Sequence, residues 1–366
     1  MRLAFVSFET IHHRRTETNA RLFRILELLA GRGHEVHVCC AGFWSGVTST
    51  LERDGIQYHA VSVDRRARRS FLLRLPFVLR SIGPDVIHAS ATPPTQVHAA
   101  NWGGRLARAP LVVEWYEGGS QSDPENGPTD RAGIPDDRWH RGAIRKPDRI
   151  ITPSRLVDTW VREGGGSGDR ISVIPNPIDL DRIEATQPGD RTDVVYARRL
   201  DEGANLESLL LGLAELRDRN WQATVIGDGP QRGMYEDLTR DLRIDDRVTF
   251  AGECSLEERI AAYRSAHVFA QTATECVFPT ELAWALGAGC IGIVEYHTDS
   301  AAHELVEGLD RGFRTTSEQE LADAILDAGD LEHRTFDDSF RALDVDHVVE
   351  RYLEAYETVG GARGLR

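Results

Sequence analysis

The sequence predicts an α/β protein built as two doubly wound domains in succession. Three observations carry that expectation. The chain has 366 residues, which suits two domains of ordinary size. Short apolar runs alternate with segments of helical periodicity from the first residues onward, the pattern of a parallel sheet covered by helices on both faces. A polar stretch around Pro188 and Gly189 interrupts the pattern, which then restarts.

RLAFVSF is the first strand. In TNARLFRILELLAGRGH the apolar residues Leu22, Ile25, Leu26 and Leu29 recur at helical spacing until Gly31 and Gly33 stop the helix. EVHVCCAG is the next strand, so the chain opens with a βαβ unit. IQYHAVSV, a helix at Phe71–Ile82, DVIHAS, a helix through Gln96–Ala107, PLVVEWY and RIITPS continue the alternation. After ISVIPNPIDL, the segment RIEATQPGDRTD is the expected linker. DVVYARRL, ATVIGDGP, RVTFAGE, HVFAQTA and GCIGIVEY are five further strands with helical segments beside them. The last helix, DHVVERYLEAYETV, is long enough to pack back onto the first domain. The expected division is 1–180, 181–345 and a returning C-terminal helix at 346–366. In sheets of this kind, function gathers at the carboxyl ends of the strands.

The composition narrows the setting. Asp and Glu number 58 against 43 Lys and Arg, a formal charge of −15, and Lys146 is the only lysine. An acidic, almost lysine-free surface suits a high-salt, haloarchaeal-type setting, because carboxylates stay hydrated and keep the protein soluble. It also argues against general nucleic-acid binding. The longest apolar runs fall well short of the roughly 20 residues a membrane helix needs. With a strand directly at Met1–Val6 in place of a secretory signal, a cytoplasmic location is expected. The five cysteines show no C-x-x-C pairing and read as buried, reduced thiols, with no metal site indicated.

One segment departs from the acidic whole. Arg65–Gly83 carries six arginines interleaved with Phe71, Leu72, Leu73, Leu75, Phe77 and Leu79. It reads either as a basic amphipathic surface that rests on anionic lipid or as an Arg-rich helix packed on the sheet.

Several strand ends carry chemistry. VIGDGP ends a strand in a glycine turn ahead of a helix, a junction where backbone can approach an anionic ligand or merely turn. IPNPIDL places Asn176 in a turn. In YARRLDEGANLESLL, Arg198 and Arg199 leave a strand end, where planar guanidinium suits bidentate phosphate contact; surface ion pairing is the alternative.

The series GRGHEV, PDVIHAS, RIITPSR, VIPNPIDL, RRLDEGANLESLL, VIGDGP, RVTFAGE and ALGAGC resembles, in order and spacing, glycosyltransferase family 4, whose fold is GT-B. The resemblance covers nearly the whole chain. It implies two Rossmann-like domains facing a central cleft. It also implies a retaining transfer in which the leaving phosphate oxygen takes the acceptor's proton, with no metal or cofactor beyond the nucleotide-diphosphate sugar as co-substrate. The nucleotide base is then expected near Gly227, Asp228, Gly229, Pro230, Glu253 and Cys254, with Asn176, Arg198 and Thr280 also on the donor side. A hexose passes to a glycan or lipid-linked acceptor, and the enzyme supplies mainly positioning and electrostatic stabilisation.

The chain departs from the family pattern at defined places. Arg199 matches the family's arginine, but Ala204 stands where a lysine is expected five residues on, and Arg198 replaces a glycine. On the acceptor side, Tyr116 and Glu117 stand where the family often has His-Asp or His-Gly, and His12, His13 and Arg15 replace a glycine-rich loop. The family's two glutamates, eight apart around a glycine turn, correspond to Cys276 and Trp284. Glu275 and Glu281 are the displaced carboxylates assigned, with Arg199, to catalysis. Trp284 either stacks on a base or fills the core. These departures keep two alternatives open: a catalytically impaired sugar-binding or partner protein, and a transferase using a lipid-phosphate donor.

Overall fold

The computed structural model describes residues 1–45, 49–116 and 133–362. They form two compact units. Residues up to Pro175 and the chain from Val348 onward make the first; Asn176–His347 make the second.

The first unit holds strands β1 (Arg2–Val6), β2 (Glu35–Ala41), β3 (Thr50–Arg53), β4 (Ile56–Ser62), β5 (Val86–Ser90), β6 (Leu111–Glu114), β7 (Arg149–Thr152) and β8 (Ile171–Val173). Their order is β3-β4-β2-β1-β5-β6-β7-β8. All neighbours are parallel except β3 and β4. That hairpin turns at Asp54 and Gly55, both at positive φ, the geometry an Asp-Gly turn favours. TLER lacks an apolar alternation, so the edge strand β3 left no strand signal in the sequence. The crossover helices are α1 (Glu17–Gly31), α2 (Arg68–Ile82), α3 (Pro94–Ala107), α4 (Arg138–Arg145) and α5 (Arg155–Glu163). Helix α1 starts where the Thr16 side chain accepts from Asn19 N–H and stops at Gly31, as its spacing predicts.

The second unit holds β9 (Thr192–Ala197), β10 (Ala223–Ile226), β11 (Val248–Gly252), β12 (Ala266–Gln271), β13 (Glu275–Cys276), β14 (Ile291–Glu295), β15 (Asp299–Ser300) and β16 (Gly312–Thr315). The main sheet runs β11-β10-β9-β12-β14-β16, parallel throughout, while β13 pairs with β15. Its helices are α6 (Leu180–Ala185), α7 (Leu206–Glu215), α8 (Arg232–Leu242), α9 (Leu256–Ser265), α10 (Thr280–Gly287) and α11 (Glu318–Ala328). The winding is visible along single strands. Val194 and Tyr196 of β9 pack with α7 and α11, whereas Val195 and Ala197 pack with α6, α9 and α10.

The expected linker does not separate the units. The chain passes between them at Pro175–Asn176, and the first part of RIEATQPGDRTD belongs to α6. Leu180 and Ile183 bury that helix in the second core, which outweighs the polar character of the residues beyond it.

The final helix, α12 (Val345–Ala362), returns to the first unit. Val348, Val349, Tyr352, Tyr356 and Val359 join the core of Leu3, Phe5, Leu22 and Leu26. A buried polar network ties it there. Arg21 Nε donates to Glu114 Oε1 at 2.7 Å, and its Nη2 donates to Ile174 O and Tyr352 Oη, both at 2.7 Å. Tyr352 Oη donates to Glu114 Oε1 at 2.5 Å. His88 Nδ1 pairs with Tyr356 Oη at 2.7 Å, and His88 Nε2 lies 3.3 Å from Glu114 Oε2. Burial alone would raise the Glu114 carboxyl, but Arg21, His88 and Tyr352 hold it well below the usual carboxylate range.

Candidate functional site

At the carboxyl edge of the second sheet, the segment after β9 lies against the turn after β10. Arg198 N–H donates to Ile226 O at 3.1 Å, Leu200 N–H to Asp228 O at 3.0 Å, and Gln231 N–H to Leu200 O at 3.0 Å. A Cβ on Gly227, whose φ is 123°, would sit 2.0 Å from Arg198 O; one on Gly229 would sit 2.2 Å from Leu200 O. The close approach these glycines permit is therefore that of the chain's own Arg198–Leu200 segment. Gly227 N–H also donates to Gly252 O at 2.7 Å, joining this turn to the end of β11. Asp228 Oδ1 accepts from Gly229 N–H at 2.7 Å and its Oδ2 lies 3.2 Å from Arg232 Nη1, while Pro230 is exposed beside it.

The two arginines have different surroundings. Arg198 Nη2 donates to the Glu275 backbone carbonyl at 3.0 Å, and Thr274 N–H donates to Gly203 O at 3.2 Å, so the loop bearing Glu275 is tied to the segment after β9. The Glu275 side chain is exposed at the start of β13. Arg199 is 70% exposed, with Asp201 Oδ2 at 3.8 Å from its Nε. Ala204 is fully buried, and its carbonyl accepts from Tyr196 Oη at 2.7 Å. Asn205, in the left-handed region at φ 48°, donates through Nδ2 to Thr272 O at 3.0 Å and to Glu295 Oε2 at 3.1 Å.

Glu281 is held on α10 by α9. Its Oε2 accepts from Tyr263 Oη at 2.6 Å and lies 3.2 Å from Arg259 Nε. Burial and the Glu281 charge both push the Tyr263 hydroxyl up, so it remains a proton donor to the carboxylate. Arg259 Nη1 also donates to Cys254 O at 3.2 Å, which brings the loop after β11 to the same place; Glu253 is exposed on that loop. Asn176 Nδ2 donates to Thr280 Oγ1 at 2.6 Å at the start of α10. Trp284 is 7% exposed and packs in the cluster of Phe278, Leu282 and Leu180. Its ring fills the core.

These contacts form a continuous rim: Glu275 to Arg198, the Gly227 and Gly229 turn, Gly252, Cys254, Arg259 and Glu281. Arg259 and Tyr263 are the members that residue-by-residue reading missed. A signal for them exists in SLEERIAAY. Ser255 and Glu258 form a capping box that sets the start of α9, and four-residue spacing then puts Arg259 and Tyr263 on one face.

In the first unit the residues assigned to an acceptor are less open. His12 stacks on Phe43 with ring centroids 4.5 Å apart, and His13 Nδ1 accepts from Thr10 N–H at 3.0 Å. Burial lowers both imidazoles, assisted at His12 by Arg53 and opposed at His13 by Glu9. The positive charge of this loop thus resides on Arg14 and Arg15, both exposed. Tyr116 is buried, with the Arg21 guanidinium 5.4 Å from its ring centroid. Glu117 lies outside the described residues.

Residues 17–177 match the family described as glycosyl transferase 4-like domain, and residues 178–335 match the glycosyl transferases group 1. The alpha-monoglucosyldiacylglycerol synthase of Streptococcus pneumoniae is 23% identical over 238 residues, 59% of this chain and 53% of that protein. The lipopolysaccharide 1,6-galactosyltransferase of Escherichia coli is 29% identical over 121 residues, 32% of this chain and 33% of that protein. The chain thus spans about half the length of the first relative and a third of the second. Among solved structures, Anabaena HepE in complex with UDP and glucose superposes with a TM-score of 0.69 at 18% identity, covering 98% of this chain and 100% of that one. The chain therefore carries a glycosyl transferase 4-like domain followed by a group 1 glycosyltransferase domain, on the GT-B fold.

Proposed function

We propose that this protein is a retaining glycosyltransferase that moves a hexose from a nucleoside-diphosphate sugar to a glycan or lipid-linked acceptor, without a metal ion. The observation that carries the reading is the rim at the carboxyl edge of the second sheet, where exposed Arg199 and Glu275 sit on loops joined by the Arg198 contact. In this reading Arg199 neutralises charge developing on the leaving diphosphate. The acceptor hydroxyl attacks the anomeric carbon as the bond to phosphate breaks, and its proton passes to the departing phosphate oxygen. Glu275 contacts the sugar. Glu281, oriented by Tyr263 and Arg259, contacts the nucleoside. Such chemistry asks the protein for positioning and charge stabilisation rather than for an acid or base of its own. The relatives named above, by their names, make a monoglucosylated diacylglycerol and transfer galactose in lipopolysaccharide. We extend a lipid-bearing acceptor, presented at the cytoplasmic side of a membrane, to this chain.

A second reading rests on Ala204. That position is fully buried and supplies no cation, which favours a protein that binds a nucleotide sugar and transfers it poorly. Calorimetry with UDP and GDP in high salt, followed by a donor screen with a lipid extract as acceptor, separates the readings. Micromolar nucleotide binding lost in Arg199→Ala, together with sugar transfer, supports the first. Binding without transfer supports the second, and no binding to either nucleotide defeats both.

A further inference from the structure

The sequence left the basic segment Arg65–Gly83 with two readings, and the structure contains features of each. Phe71, Leu75, Leu79 and Ile82 bury one face of α2. The other face is apolar too, at its middle. Leu73 is 69% exposed and Phe77, one turn on, is 61% exposed. Side chains four apart on a helix lie on the same face, so these two form one strip.

A second helix extends the strip. Gly103 lets α3 press onto α2, because a Cβ there would sit 2.5 Å from Leu79 Cδ1. The adjacent Trp102, 52% exposed, then meets Phe77 edge to face with ring centroids 6.3 Å apart. Arg80 reaches across and donates from Nη1 to Leu106 O at 2.7 Å, which fixes the two helices side by side. Three large apolar side chains from two helices therefore project together into solvent.

The charge around them is unlike that of the rest of the molecule. Residues 65–83 contain six arginines, residues 94–108 add Arg105 and Arg108, and neither stretch contains an Asp or Glu. The chain as a whole carries a formal charge of −15. An acidic protein that concentrates arginine around an exposed Leu, Phe and Trp has the charge and the apolar side chains that the interface of an anionic bilayer complements. Trp and Phe partition to the headgroup level and Arg pairs with lipid phosphate, so the two parts of the patch act on the same surface.

We propose that the α2–α3 face, centred on Phe77 and Trp102, docks this protein onto the surface of an anionic lipid bilayer. The inference concerns the first unit alone and holds whether or not the sugar-transfer reading does. Docking here would bring the enzyme to the membrane that carries a lipid-linked acceptor.

The experiment is co-sedimentation of the full chain with large unilamellar vesicles of phosphatidylglycerol and phosphatidylcholine, against vesicles of phosphatidylcholine alone, at low and high salt. Wild-type protein is expected to bind the anionic vesicles and to release from them as salt rises. The variant Phe77→Ser/Trp102→Ser is expected to partition at least about tenfold more weakly, from the loss of two inserted aromatic rings. Arg69→Glu/Arg74→Glu should weaken binding to the anionic vesicles only. Equal wild-type binding to both vesicle types, or none to either, overturns the proposal without reference to any variant. So does unchanged binding by both variants, or sedimentation velocity showing that the patch is covered by a second copy of the chain. Nucleotide calorimetry on the same samples reports separately on the donor site, so failure of one proposal is distinguishable from failure of the other.

Discussion

The guanidinium of Arg198 donates to the backbone carbonyl of Glu275, 3.0 Å away and 77 residues along the chain. Through that contact, one of two adjacent arginines positions the acidic loop while its neighbour Arg199 stays largely in solvent. The two should therefore fail differently. Arg199→Ala is expected to lower kcat by about 10²–10³-fold, the typical cost of losing one donor to developing negative charge. Arg198→Ala should act mainly on loop placement, raising KM for the sugar donor more than it lowers kcat, with Arg198→Lys recovering part of the loss. Steady-state kinetics on both variants provides the check.

Restoring the family's lysine should not restore a stronger enzyme. The Ala204 side chain is fully buried, and the residue's carbonyl is bonded to Tyr196. Ala204→Lys would force an ammonium group into that buried position, at a cost of several kcal/mol. The expected outcome is a lower Tm with no gain in turnover. Higher turnover at unchanged Tm would show instead that the segment turns outward to admit the side chain.

Gly227 tests how tightly the rim is built. A methyl group there would meet the Arg198 carbonyl at 2.0 Å, from a backbone at φ 123° that side chains rarely adopt. Gly227→Ala is expected to destabilise the protein by at least about 2 kcal/mol, measured by urea unfolding. Gly233→Ala, in open space on α8, should be neutral or slightly stabilising and serves as the control.

The buried network beneath α12 should tolerate paired loss better than single loss. Arg21→Met alone leaves the Glu114 carboxylate buried without its cation, a change worth roughly 3–5 kcal/mol. Arg21→Met/Glu114→Leu removes the orphaned charge and is expected to recover most of that. Denaturant unfolding of the two variants beside wild type measures the difference.

His59 makes the fold sensitive to mild acid. Burial, and behind it the neighbouring His37, pushes its imidazole down to about 4 from the ordinary 6.5. Between those values the unfolded chain takes up a proton that the folded protein refuses. The stabilisation is therefore complete above 6.5 and is lost as pH falls toward 4. Thermal melts across that range should show a steeper loss for wild type than for His59→Gln, and an NMR titration of the His59 ring should find it neutral at about pH 6.

Much of this architecture was legible in the sequence because its causes are local. Leu22, Ile25, Leu26 and Leu29 announce α1 by spacing, and Gly31 ends it. The alternation of strands and helices announces two wound sheets whatever their mutual contacts. The misplaced linker shows the limit of that reasoning. RIEATQPGDRTD is polar in composition, yet Leu180 and Ile183 drew the helix at its start into the second core. Trp284 shows the same limit within the site, since a single ring in a small-residue helix suits a base or a core equally well until its neighbours are known.

Residue order alone was enough for the elements, the succession of strand-end motifs, the family resemblance and the Arg-rich exception on an acidic chain. Folding in three dimensions settled which of the marked residues face solvent, which brace others and which are buried. Arg198 became a strut, Ala204 was sealed in, and Glu281 acquired Tyr263 and Arg259 as partners. Phe77 gained Trp102 from another helix. The division arises because propensity and periodicity act over a few residues. Contacts such as Arg198 to Glu275 join segments brought together only when the sheet closes, and their energies depend on burial that no short stretch of sequence contains.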